Sequence, residues 1–274
     1  MNYKTLLVHV EPTADSDLRL RISVDLAQQL GATLIGVGGC EPAYLANPMM
    51  MTGYSDGALI QTLDDIDTAG LAECEARYNE AVKPLGSAAR WISDRDYPDR
   101  ALGVCAAGAD IIVASAHRGP KASTAAAIDL VLRAGIPVLT VPTDLPAIRM
   151  KKVVVAWKNT REARRAVSDA LPMLRAADDV TVLRICPATD TRLAYSGLDD
   201  VVGRLKRHGV NVRGETLERP SADTFHALSR FAEEKLADVI VAGAYGHSRF
   251  GEWMLGGLTL SLLEQSPLPV LFSH

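Results

Sequence analysis

Between Gly243 and Thr259 the chain reads Gly-Ala-Tyr-Gly-His-Ser-Arg-Phe-Gly-Glu-Trp-Met-Leu-Gly-Gly-Leu-Thr, with five glycines in 17 residues. Glycine lets main chain approach phosphate oxygens closely and takes positive φ, so that successive N–H groups converge on an anion. His247, Ser248 and Arg249 add side-chain donors, and the arginine adds a permanent charge. The same glycines would also serve as plain turn formers, so composition alone leaves both readings open. Other reactive residue types carry less. His117 and His247 fall in corresponding loops, but no third residue is spaced to complete a metal site. Ser248 beside His247 lacks the G-x-S-x-G elbow of a hydrolase, and neighbours in sequence do not face one another. Asp64, Asp65 and Asp67 sit in a helical stretch and read as a solvated face. Trp253, next to Glu252, reads as a packing anchor.

The elements around the loop give it a position. A β-branched run at about 238–242 precedes it and a helical pattern at 257–265 follows. In an open parallel sheet, ligands bind beyond the carboxyl ends of the strands, where a helix N-terminus offers free N–H groups to an anion. Further strands are expected at about 152–157, 180–185, 210–215 and 269–272, and helices at 160–176, 196–208 and 222–236. This alternation predicts right-handed βαβ units. Asn159 with Glu162 three residues on predicts a capping box at the first of these helices, and Pro172 should kink it.

The chain also repeats itself. Lys4–Val10 and Lys151–Trp157 share one pattern at an offset of 147, Ala109–Ala114 matches Ala237–Ala242 at 128, and Ile136–Thr140 matches Leu268–Phe272 at 132. Three collinear matches predict a tandem duplication with domains at 1–147 and 148–274, joined by the proline-bearing stretch Pro142–Pro146. The first half follows the same order of elements, apart from a long connection at 41–57 whose Met49–Met51 run forms either a ligand wall, a lid or a packed loop.

Composition closes off several classes of function. The 274 residues are 48% hydrophobic and 23% charged, which excludes disorder, collagen and coiled coil. A formal net charge of −4 gives no basic field for nucleic acid or an anionic membrane surface. Residues 1–147 nevertheless hold 11 Lys/Arg against 18 Asp/Glu, and residues 148–274 hold 18 against 15, so an anionic ligand belongs in the second half. Cys40, Cys74, Cys105 and Cys186 form no CxxC pair, which speaks against zinc and fits reduced thiols. The amino-terminal apolar run is too short for a signal peptide, and no run approaches the roughly 18 residues of a membrane span. A cytoplasmic location is expected.

The spacing Gly243, two residues, Gly246, nine residues, Gly256 resembles the G-x2-G-x9-G nucleotide signature of the universal stress protein family, which ends in Ser or Thr. The order of elements, the terminal Pro-Val-Leu strand and the duplication agree with it across both halves. The resemblance implies an α/β fold of two tandem five-stranded parallel-sheet domains of universal stress protein (adenine nucleotide alpha hydrolase-like) type. It implies ATP, with or without magnesium, held by the backbone of Gly243, Gly246, Gly256, Gly257 and Leu258, by His247, Ser248 and Arg249, and with Ile185 against adenine. Two positions depart from the family. Gly257 stands where the family has a hydroxyl, which Thr259 replaces only in part, and Lys158 stands where nucleotide-binding members have an Asp on the nucleoside. Lys158 reads either as a phosphate ligand or as a solvated loop lysine.

The first half departs further, with Ser115-Ala-His-Arg118 in place of Gly243-Ala-Tyr-Gly246 and a shorter segment after it. No phosphate site is expected there. Glu11 keeps a carboxylate, and that half is expected to act as a packing partner in an intramolecular pseudo-dimer, with a homodimer also open. No general base is positioned by the sequence, so slow ATP hydrolysis is the most that is expected. A stress-response regulator that binds nucleotide in its second domain and a nucleotide-independent interaction protein, its protein partner unspecified, are the two readings.

Overall fold

A computed structural model describes residues 2–39, 57–94, 98–116, 123–186, 197–218, 224–244 and 256–274. These residues divide into two compact units, Tyr3–Ser115 and a second built on Ala116–His274.

In the first unit the strands β1 (Thr5–His9), β2 (Thr33–Gly39), β3 (Ala89–Asp94) and β4 (Ile111–Ser115) are all parallel. β1 lies between β2 and β4, with β3 outside β2. Strands β1 and β4 are almost wholly buried, and helix α1 (Ala14–Leu30) packs on both. Helix α2 (Gly57–Ala81) buries only Cys74 and Tyr78, whose hydroxyl donates to the Leu34 carbonyl at 2.7 Å. Helix α3 (Pro98–Cys105) completes the unit.

The second unit contains α4 (Ser123–Arg133), β5 (Val138–Val141) and then β6 (Lys152–Trp157), α5 (Arg161–Asp169), α6 (Leu171–Ala176), β7 (Asp179–Cys186), α7 (Leu198–Arg207), β8 (Val212–Glu218), α8 (Thr224–Glu234), β9 (Val239–Gly243), α9 (Gly257–Gln265) and β10 (Val270–Ser273). β6 pairs with β7 and β9, β8 lies outside β7, and β10 outside β9, all parallel. β5 is the exception, because it joins β10 antiparallel in the register Val138↔Phe272, Leu139↔Leu271, Thr140↔Val270.

The expected strands and helices of this unit appear within about three residues of their sequence positions. Pro172 does more than kink the first helix: the chain breaks at Ala170, and α6 restarts with the proline in its first turn, where a missing N–H costs nothing. The expected capping box is corrected. Thr160, not Asn159, caps α5, its hydroxyl accepting from Ala163 N at 3.3 Å, and Glu162 therefore falls at the second helical position.

The repeated sequence has a shared structural cause. Asp110 accepts the backbone N–H groups of Lys4 and Thr5 at 2.6 and 2.9 Å, and Asp238 those of Lys151 and Lys152 at 2.9 and 2.8 Å. Each carboxylate thus satisfies the two donors that lead into a central parallel strand, β1 in the first unit and β6 in the second. Thr13 likewise caps α1 as Thr160 caps α5. Among the described residues no helix is long and apolar enough to cross a membrane, and Cys74, Cys105 and Cys186 are free thiols.

Candidate functional site

In the second unit the chain runs from β6 to β7 and β8 on one side, then returns to β9 and β10 on the other. The carboxyl ends of β6 and β9 therefore flank the point where the strand order reverses, the place at which open α/β sheets leave a crevice for ligands. Lys158, directly after β6, is exposed, and Gly243 is the last residue of β9. Ile185, near the end of β7, is half-buried one strand away.

Gly243 is fixed by packing. A Cβ there would stand 2.5 Å from Ala163 N and 2.6 Å from Glu162 C, so the first turn of α5 rests directly on the end of β9. Ala244 follows, its N–H donating to Ser273 O at 2.8 Å and its carbonyl 2.8 Å from His274 Nδ1. Asp169 accepts from the Ser273 hydroxyl, which ties α5 to β10.

Two helix N-termini reach this end of the sheet, and they differ. At α5, Thr160 takes the Ala163 N–H, and the buried Glu162 carboxylate takes its own N–H. Burial works to raise the Glu162 carboxyl. Its own N–H, the Thr160 hydroxyl and Arg161 outweigh that and hold it below the usual carboxylate range. The α5 terminus thus has leading N–H groups satisfied from within, and its carboxylate is paired with Arg161 at 3.1 Å. At α9 the N-cap is Gly256, with no side-chain cap and no acidic residue in the first turn. Gly257 is exposed, Leu258 half-buried, and Thr259 buried at 3% exposure. Its leading N–H groups are of the kind that binds anions. Of the residues singled out in the sequence, Gly246, His247, Ser248 and Arg249 lie outside the described residues, as do His117, Met49–Met51, Glu252 and Trp253.

The Universal stress protein family model matches residues 150–274. These residues are a universal stress protein domain. The whole chain is similar in fold to a universal stress protein from Archaeoglobus fulgidus DSM 4304, at 14% identity and a TM-score of 0.77, over 98% of this chain and 97% of that one. It is similar also to a functionally unknown protein from Pseudomonas aeruginosa PAO1, at 16% identity and a TM-score of 0.63, over 99% and 92% of the two chains. No curated protein matches the sequence. The universal stress protein fold therefore extends over both halves, while the family match itself covers the second.

The first unit has the same reversal of strand order, between β1 and β4, and here side chains fill the place. Arg19, on α1 and 4% exposed, donates from Nε and Nη2 to the His9 carbonyl at 3.1 and 2.8 Å. Nη1 reaches Ser115 Oγ at 2.5 Å, and Nη2 also meets Glu11 Oε1 at 3.1 Å and Ser16 Oγ at 3.3 Å. Glu11 Oε1 lies 3.1 Å from His9 Nδ1 as well. The hydrogen bond from His9, helped by the charge of Arg19, holds the Glu11 carboxyl at about 2 despite its partial burial. At the offsets of the repeat, Arg19 corresponds to Ala166 and Ser115 to Gly243. A helical pattern alone does not disclose this cluster. The signal that finds it is a charged residue where the other copy has alanine.

Proposed function

We propose that the second half binds an adenine nucleotide, ATP in the first instance, in the crevice between the ends of β6 and β9. The observation that carries this reading is the uncapped N-terminus of α9 at the carboxyl end of β9, opened by Gly256 and Gly257 and free of acidic residues. Its anion preference contrasts with the start of α5, where the Thr160 hydroxyl and the Glu162 carboxylate already take leading N–H groups. The G-x2-G-x9-G spacing supplies the rest of the proposed phosphate contacts, from Gly243, Gly246, His247, Ser248, Arg249 and the backbone through Leu258 and Thr259. Ile185 offers an apolar surface to the base, and magnesium would accompany the triphosphate. We place the repeated domains at 1–147 and 148–274, the first serving as pseudo-symmetric partner, and the role as regulatory in the stress response.

The second reading is a stress-response protein that works through its surfaces without nucleotide. Two residues favour it: Lys158 brings a cation where the family holds the nucleoside with a carboxylate, and Gly257 supplies no hydroxyl. Calorimetric titration of the full chain with Mg-ATP separates the two. Binding reads out as micromolar affinity that Gly246→Val abolishes. No heat and no thermal shift at millimolar Mg-ATP would leave the surface reading standing.

A further inference from the structure

Among the described residues, four oxygens converge on Arg19 at the first unit's reversal point. The His9 carbonyl comes from the end of β1, Glu11 Oε1 from the turn after it, Ser16 Oγ from the first turn of α1 and Ser115 Oγ from the end of β4. Ser16 Oγ is itself fixed by the Glu11 backbone N–H at 2.8 Å, and Glu11 by His9. Four acceptors, one of them a carboxylate oxygen, suit a planar cation with several diverging N–H donors, and the carboxylate would repel a phosphate. A compact ammonium could reach only part of such a ring, because its three donors leave from one atom.

We propose that this crevice is a guanidinium receptor and that the side chain of Arg19 is its resident ligand, seated where the second unit leaves Ala166 and Gly243. The first unit carries its own ligand in cis, so its order does not depend on a soluble one. The inference holds whether or not the second crevice takes a nucleotide. It makes the two reversal points of opposite sign, one built for a cation that never leaves and one open to anions.

Vacating the receptor in the full chain tests this. Arg19→Ala leaves the half-buried Glu11 and the two buried serines without their shared donor, and the thermal midpoint of the first unit should fall by about 10 °C. Methylguanidinium at about 20 mM should restore a measurable part of that loss by mass action, methylammonium at equal ionic strength should not, and the wild type should respond to neither. Equal rescue by both cations, or an unchanged midpoint, overturns the proposal. Should Arg19→Ala fail to fold, Arg19→Lys keeps the charge and the stem while losing the fork. Backbone amides at residues 6–12 and 111–116 should then exchange about tenfold faster than in the wild type. Unchanged exchange refutes the receptor. Mg-ATP should leave exchange at residues 6–12 as it is, and protection there equal to that of the second unit would count against a resident ligand. The rescue and lysine arms need no nucleotide, so they stand apart from the proposed nucleotide site.

Discussion

Gly243→Ala probes the contact on which the second crevice is built. The added methyl would lie 2.5 Å from Ala163 N and 2.6 Å from Glu162 C, whereas an ordinary contact needs about 3.4 Å, so something must move by nearly 1 Å. Neither neighbour is a flexible side-chain end. Both are backbone of the first turn of α5, which Thr160 caps and Asp169 ties to Ser273 on β10. Backbone shifts of this kind cost about 1–3 kcal/mol, so for a unit of this size the thermal midpoint should drop by about 5 °C. Urea unfolding followed by circular dichroism gives the free energy directly. Ser115→Ala, at the corresponding place of the first unit, adds no atom and so acts as a steric control, costing only the hydrogen bond to Arg19. A Gly243→Ala protein as stable as the wild type would refute the close approach, and with it the account of why glycine ends β9. If α5 moves away, the crevice beside it changes shape, so under the proposed nucleotide reading Mg-ATP affinity should fall further than the stability loss alone explains.

Three further outcomes are expected. Leu236 closes α8 at φ 53°, 70% exposed, while Ala237 N bonds to Ala232 O and Leu236 N to Glu233 O; glycine holds the corresponding place at Gly31 and Gly209. Leu236→Gly should therefore stabilise by about 0.5–1 kcal/mol in urea unfolding, because the left-handed strain outweighs the entropy of glycine. Glu11 titrates at about 2 in the fold against 4.5 for the ordinary group, so its contribution is complete above pH 4.5 and is lost as pH falls through about 2. Its side chain is 40% exposed, and solvent screening reduces the effect to about 1 kcal/mol, which Glu11→Gln should remove from the acid limb of a stability profile. Asp110→Ala and Asp238→Ala should each cost about 1–2 kcal/mol, and equally, since each frees two strand-leading N–H groups; a clear inequality by denaturant unfolding would contradict the shared role.

Much of this fold was legible in the sequence, and the exceptions have physical reasons. Strands such as Lys152–Trp157 were found because a parallel strand buried on both faces is written as an unbroken β-branched run. Helix α9 was placed to the residue because Gly256 and Gly257 before it and Ser266-Pro267 after it are local signals. The cap of α5 was misplaced because Asn159 and Thr160 are both good caps, and only the geometry shows which hydroxyl or amide meets Ala163 N. The antiparallel seat of β5 was not legible, since strand direction depends on where the chain has travelled and not on the strand's own residues. Arg19 was invisible for the opposite reason: its type says surface, and only the meeting of β1, α1 and β4 buries it. Of the candidate site, the flanking glycines and the crevice between β6 and β9 follow from pattern and position, and the identity of the ligand does not.

The register of β5 on β10 has a consequence for how the halves can diverge. Leu139 faces Leu271, and these are the same position of the repeated strand, so Val138↔Phe272 and Thr140↔Val270 are one pair seen from two ends. In an assembly of identical subunits every substitution appears in each copy, and a change that fills one pocket fills both. Here the two sides are separate stretches of one gene product. An arginine and a serine can settle in one copy while an alanine and a glycine remain in the other, which frees inheritance to give each copy a different occupation.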